Sequence, residues 1–174
     1  GVPADCASPT EWHRESGTNN TPGGAWAWKL GPVGPLGSYA DREDARLVSQ
    51  PIRLAGVNDT LSFWQRYNAD GISDGLSVEI STDAGATWTL LQPVGGYSLG
   101  DRWSGTQSSF AQARVSLTGY SGVVQLAFRF RSQPPFGGLG WWIDDVFVTG
   151  DAECTTTAAE VFVFGADYLR SCSC

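Results

Sequence analysis

At 174 residues the chain has room for one domain of ordinary size and its core, and not for two. Apolar residues at 41% and aromatic residues at 12% exclude a disordered chain, and 22 Gly with nine Pro, without a triplet period, exclude a collagen-like one. The formal charge of −7, with Lys29 the single lysine, leaves no basic stripe for a phosphate backbone, so nucleic acid is not an expected partner.

Residues 1–44 are rich in turns, punctuated by Pro22-Gly23-Gly24, Gly31-Pro32 and Gly34-Pro35-Leu36-Gly37, and Trp12, Trp26, Trp28 and Leu30 suggest short edge strands between them. Residues 46–54 read as an extended segment that Pro51 confines to an edge or a bulge. Residues 60–67 carry Leu61, Phe63 and Tyr67 on one parity. In 76–81, Leu76, Val78 and Ile80 are expected to face a core and Glu79 water, a period of two that excludes a helix. Residues 87–91 read as the return strand of a hairpin, 113–117 as a short strand, and 123–131 as a strand with Val124, Leu126, Phe128 and Phe130 inward. Residues 141–148 are apolar on both faces, which predicts a central strand.

Seven or more such strands, with no amphipathic helix before residue 155, predict an all-β fold: an antiparallel two-sheet β-sandwich spanning 1–154. Residues 155–174 form a tail, either one extra strand at 160–164 with a turn or the start of a further module. No apolar run reaches the roughly 18 residues of a membrane span, and the opening Gly1-Val2-Pro3-Ala4 is not a signal peptide.

Cys6, Cys154, Cys172 and Cys174 contain no Cys-x-x-Cys pair and read as disulfide cysteines of an oxidising compartment. Cys6 and Cys154 bracket the patterned region, and a bridge between them would fasten its first segment to its last strand. A bridge between Cys172 and Cys174 closes a strained small ring; the alternative is that one of them pairs with Cys6 or with another chain.

Five segments taken in order resemble a known family: Leu61-Ser62-Phe63-Trp64, Asp74-Gly75-Leu76-Ser77-Val78-Glu79-Ile80-Ser81, Asp83-Ala84-Gly85-Ala86-Thr87-Trp88, Leu126-Ala127-Phe128-Arg129-Phe130 and Gly140-Trp141-Trp142-Ile143-Asp144-Asp145-Val146. The likeness, over roughly residues 10–150, is to the jelly-roll modules related to MAM domains. These include the non-catalytic modules of immune-inhibitor-A-type secreted metallopeptidases and the cleaved-adhesin domains of bacterial surface proteins. It implies a jelly roll, MAM-like or galactose-binding-like, secreted, linked covalently to a catalytic or adhesin domain, often with a structural calcium and no activity of its own.

Calcium takes six to eight hard oxygens, and the expected ligands are Glu43, Asp44, Asp70, Asp74, Asp144 and Asp145. The resemblance ranks Asp74 and the Asp144-Asp145 pair first, since the matching acids of relatives lie near one another across the sheets. Adjacent strand residues point to opposite faces, so only one of Asp144 and Asp145 is a ligand unless a bulge intervenes. The competing reading places these acids in turns, with the buried member of the pair neutralised by Arg129 or Arg131.

Ser81, Asp83, Gly85 and Trp88 match the Asp-box hairpin, in which Asp83 caps turn N–H groups, Gly85 takes a positive φ and Trp88 packs back; this is a fold device rather than sugar chemistry. His13, the one histidine, has no Gly-x-Ser-x-Gly elbow and no His-Glu-x-x-His helix beside it, so the chain is not expected to be an enzyme. Trp64, Trp103 and Trp141 are the candidate ligand-binding faces, with Trp103 in the long loop between Tyr97 and Phe110. The expected role is therefore an accessory module that binds a protein partner or substrate. The alternatives are a carbohydrate-binding module with a tryptophan platform and a structural spacer.

Overall fold

A computed structural model describes residues 12–135, 137–150 and 169–170. Eleven strands run β1 (Trp12–Ser16), β2 (Trp26–Leu30), β3 (Asp44–Val48), β4 (Ile52–Leu54), β5 (Thr60–Asn68), β6 (Gly75–Ser81), β7 (Thr89–Leu90), β8 (Thr106–Ser116), β9 (Gly122–Arg131), β10 (Gly140–Thr149) and β11 (Leu169–Arg170). One sheet has five strands in the order β1-β2-β10-β5-β8, and the other has six, β11-β3-β9-β6-β7 with β4 also on β9. Every pairing between strands is antiparallel, and the described residues include no helix. The protein is an all-β sandwich.

The period of two builds the core. Leu61, Phe63 and Tyr67 of β5, Val115 of β8 and Trp141 and Ile143 of β10 face Leu76, Val78 and Ile80 of β6 and Val124, Leu126, Phe128 and Phe130 of β9. Phe63 meets Phe128 edge-on at 4.8 Å, and Phe128 meets Trp141 at 5.8 Å, so aromatic rings join the sheets. Pro51 divides the extended segment into β3, which lies between β11 and β9, and β4, which pairs with β9. At the break the Ser49 N–H donates to the Leu126 carbonyl at 2.8 Å, and the Ser49 hydroxyl accepts from the Leu126 N–H at 2.9 Å, which replaces the lost ladder bonds.

Four expectations need correction. Only β1 is an edge strand of the tryptophan pair, because β2 lies between β1 and β10. The short strand expected at 113–117 is, as far as Ser116, the end of the eleven-residue β8. Glu79 is buried rather than facing water, since Arg129 on the adjacent β9 and Arg46 on β3 beyond it close over it at 3.1 and 2.7 Å. Trp103 and Trp141, expected as binding faces, lie in the core. Reciprocal backbone hydrogen bonds with Leu76 pull Trp103 inward, and Trp141 points inward from central β10 with its Nε1–H donating to Gln65 Oε1 at 3.1 Å. The four cysteines and the strand expected at 160–164 lie outside the described residues.

Candidate functional site

The six expected calcium ligands fall in three separate places. Asp44 and Gly75 both pair with Arg131 of β9, so one step further along the strands Glu43, Ser132 and Asp74 stand abreast at one end of the second sheet. The Glu43 N–H donates to the Ser132 hydroxyl at 2.8 Å, and the Ser132 N–H returns a bond to the Glu43 carbonyl at 3.0 Å. The Gln133 N–H donates to Asp74 Oδ1 at 2.7 Å, the Tyr39 hydroxyl donates to Asp74 Oδ2, and the Ser73 hydroxyl reaches Asp70 and Asp74 at 2.7 and 3.2 Å.

Asp74 is 0% exposed and makes no salt bridge, so hydrogen bonds alone compensate its burial. Asp70 caps the turn below it, accepting from the N–H groups of Ile72, Ser73 and Asp74 at 2.8–3.0 Å. Burial alone would raise the Asp70 pKa, but these bonds outweigh it and hold the carboxyl below its ordinary range. Tyr39 is pushed up by burial first, then by the bond to Asp74 and its charge.

Asp44 is not part of this corner. Its carboxylate takes a fork of two bonds from Arg129, at 2.6 and 2.5 Å, which leaves it committed to a cation of the protein. The Asp144-Asp145 pair is also elsewhere, on a bulge of β10 where the register with β5 shifts and Asp145 takes φ 47°. The bulge removes the alternation and lets both carboxylates grip one loop. Asp144 Oδ2 accepts from the Asn20 N–H at 2.7 Å and Asp145 Oδ2 from Asn20 Nδ2 at 2.9 Å, while the Thr21 hydroxyl donates to Asp145. The pair shares no hydrogen-bond partner with Asp74, so the structure does not bring the two top-ranked positions together. The expected neutralisation by Arg129 or Arg131 is not seen either: Arg129 holds Asp44 and Glu79, and Arg131 holds Asp101 at 3.2 Å. Among the described residues no three His, Cys, Asp or Glu side chains are grouped so as to hold a metal ion.

In the Asp-box hairpin the Ser81 hydroxyl donates to Asp83 at 2.7 Å and accepts from the Gly85 N–H at 2.8 Å, and Asp83 takes the Thr87 N–H and hydroxyl at 2.8 and 2.5 Å. Led by the Thr87 bonds, these hold the Asp83 pKa at about 2. Gly85 has φ 87° and packs by Trp88, which is half-buried beneath the Arg46 guanidinium. Trp64 is half-buried on β5 between Asp144 and Gln112.

Sequence reasoning passed over a buried cluster on the outer face of the five-stranded sheet. Lys29 is 1% exposed, and its ammonium donates to Glu15 Oε2 at 3.0 Å and to the carbonyls of Pro32 and Gly34 at 2.5 Å each. Glu15 also takes the Gly34 N–H at 2.8 Å and Trp142 Nε1–H at 3.3 Å. The loop 31–37 is thereby tied down along its underside. The available signal was a lone lysine between Trp28 and Leu30 in a strand with apolar neighbours.

No protein-family model matches the chain. Bacillopeptidase F of Bacillus subtilis is similar to it, 24% identical over 149 residues that take in 77% of this chain. The alignment covers 10% of that protein, so this chain matches about a tenth of the length of the relative.

Proposed function

We propose that the chain is a non-catalytic module of the MAM-like jelly-roll kind, working outside the cell for a larger peptidase-type parent, where it binds a protein partner or substrate. The carrying observation is the alignment, which takes in most of this chain and a small part of a protein whose name makes it a peptidase. A module-sized match of that kind supports a role beside a catalytic unit rather than as one. The chain's one histidine supports the same reading: His13 lies 3.5 Å from Glu15, whose oxygens are already engaged by Lys29, Gly34 and Trp142.

Calcium belongs to this reading as the resemblance implies it, with Asp74 the first ligand to test. A wholly buried carboxylate with no salt bridge is costly, and a hard cation held by carboxylates and backbone carbonyls offsets that cost. The disulfide belongs to it as well, with Cys6 and Cys154 as the pair to be found by mass spectrometry of an unreduced digest.

The test has two arms. Purified chain incubated with reduced, carboxymethylated α-lactalbumin should bind it and leave it uncut; cleavage that tracks the purified chain overturns the non-catalytic reading. Added calcium should raise the melting temperature and EGTA lower it, because an ion held only by the folded state shifts folding by mass action. Identical melting curves in the two solutions remove calcium from the reading.

A further inference from the structure

The outer face of the five-stranded sheet carries two aromatic rings that take no part in the core. Ser62, Trp64 and Arg66 of β5 alternate with the buried Leu61, Phe63 and Gln65, so their side chains point away from the second sheet. Gln112 and Arg114 of β8 alternate with the buried Ala113 and Val115 and point the same way. Phe147 of β10 lies between Val146 and Val148, which face the core, and stands opposite Ser62. Trp64 and Phe147 are half-buried, and neither belongs to the core cluster or packs against it. The register sets Gln112 opposite Trp64 and Arg114 opposite Ser62, so two rings, an amide and a guanidinium share one patch of sheet.

The polar groups of this patch have no partners in the fold. Among the described residues the Trp64 Nε1–H, the Gln112 amide and the Arg114 guanidinium make no hydrogen bond and no ion pair. Their counterparts elsewhere do: Trp12, Trp141 and Trp142 donate to Ala45, Gln65 and Glu15, and Arg46, Arg129 and Arg131 on the other sheet each hold an acid. Beside Trp64 the loop 17–25 forms a wall, because Asp144, its cross-strand neighbour, and Asp145 hold Asn20 and Thr21. Floor and wall are fixed before any ligand arrives, which limits the conformational entropy lost on binding.

We infer that this face binds a neutral polysaccharide. Pyranose rings present C–H faces that lie on aromatic rings, and their hydroxyl and ring oxygens accept from N–H groups. Trp64 and Phe147 supply the first, and Gln112 and Arg114 supply the second. Of the three tryptophans that the sequence marks as binding faces, Trp64 is the one left outside the core. Charge decides against an acidic ligand: Asp144 and Asp145 balance Arg66 and Arg114 around the patch, and Lys29 on the same face is paired with Glu15. The neighbours decide against a protein anchor, since Thr60, Ser62, Gln112 and Ser116 surround the rings where such an anchor needs aliphatic surface. The inference goes beyond the protein-binding reading and does not rest on it.

The test uses the full 174-residue chain in affinity electrophoresis through gels containing hydroxyethylcellulose, glucomannan, arabinoxylan or mixed-linkage β-glucan, with polygalacturonate as the acidic comparison. At least one neutral polymer should retard the native chain, and Trp64→Ala should raise the apparent Kd about tenfold or more. Gln112→Ala should raise it about two- to tenfold, the worth of one hydrogen bond. Its melting temperature should be unchanged, because the Gln112 side chain is exposed and holds nothing in the fold. Trp88→Ala, on the hairpin between β6 and β7 of the other sheet, should bind like the native chain. No retardation by any neutral polymer, or equal retardation of the native chain and of the Trp64 and Gln112 variants, overturns the inference and leaves the protein-binding module standing. Retardation by polygalacturonate alone overturns the choice of a neutral ligand. Binding of carboxymethylated α-lactalbumin that is lost in Trp64→Ala, with no polysaccharide bound, assigns the face to a protein and overturns the inference equally.

Discussion

Replacing Lys29 by Met removes a cation and leaves everything it held. The side chains are close in length, so packing changes little, but Glu15 stays in a buried site as a carboxylate with no ammonium, and the Pro32 and Gly34 carbonyls lose their donor. Breaking one side of a buried ion pair costs about 3–5 kcal/mol. For a domain of this size each kcal/mol moves the melting temperature by about 2–4 °C, so the expected drop is about 6–20 °C in thermal unfolding followed by tryptophan fluorescence. Adding Glu15→Gln removes the stranded charge and keeps an acceptor for the Gly34 and Trp142 N–H groups, so the double variant should recover about 0.5–3 kcal/mol relative to the sum of the two single losses. A loss under about 1 kcal/mol for Lys29→Met, or strict additivity in the double variant, would refute the view that this pair fastens loop 31–37 to the sheet.

Acid should destabilise the fold. Burial raises the pKa values of Glu15, Asp44, Asp70 and Asp101, but hydrogen bonds hold each below its ordinary value, helped by the Lys29 charge at Glu15 and by arginine charges at Asp44 and Asp101, and Asp83 lies at about 2. Their contribution is complete above the unfolded carboxylate range near pH 4 and is lost as pH falls through the folded values. The urea midpoint should therefore decline between pH 5 and pH 2, and a flat profile would contradict the assignment. Ser104→Ala should stabilise by about 1 kcal/mol, because the Ser104 hydroxyl is buried without a hydrogen-bond partner; destabilisation in a denaturant titration would mean that the hydroxyl is engaged. Gly140→Ala should cost about 3 kcal/mol or more, since a Cβ there meets the Leu30 carbonyl oxygen at 1.8 Å with φ at 102°. Gly95→Ala, with φ 87° and open space around it, should cost only the backbone strain of about 1–2 kcal/mol, read from the same thermal melts.

The sandwich was legible wherever one face of a strand meets the core and the other does not. Leu76, Val78 and Ile80, and Leu126, Phe128 and Phe130, announce themselves by alternation because burial acts on every second residue. Glu79 broke the same rule, because its partners Arg46 and Arg129 come from β3 and β9 and burial by them has no local signature. Trp103 carries no periodic signal at all, and its inward position depends on a bridge to Leu76 far back in the chain. The Asp144-Asp145 pair was readable only as far as the condition that a bulge would change its facing. The positive φ of Asp145 and the grip on Asn20 and Thr21 follow from tertiary contacts more than a hundred residues apart in sequence.

The place of β10 has a consequence for how the protein comes into being. This strand lies late in the sequence and yet sits between β2 and β5 in the five-stranded sheet. Until it has left the ribosome, the β1-β2 and β5-β8 pairs have no shared neighbour, and Leu30 and Phe63 lack the Trp141 and Ile143 surface that completes their side of the interior. Closure of the sheet then waits on contacts distant in sequence, which makes folding slow and leaves the unfinished chain exposed to aggregation and proteolysis. A nascent chain stalled before Gly140 would be degraded rather than stored.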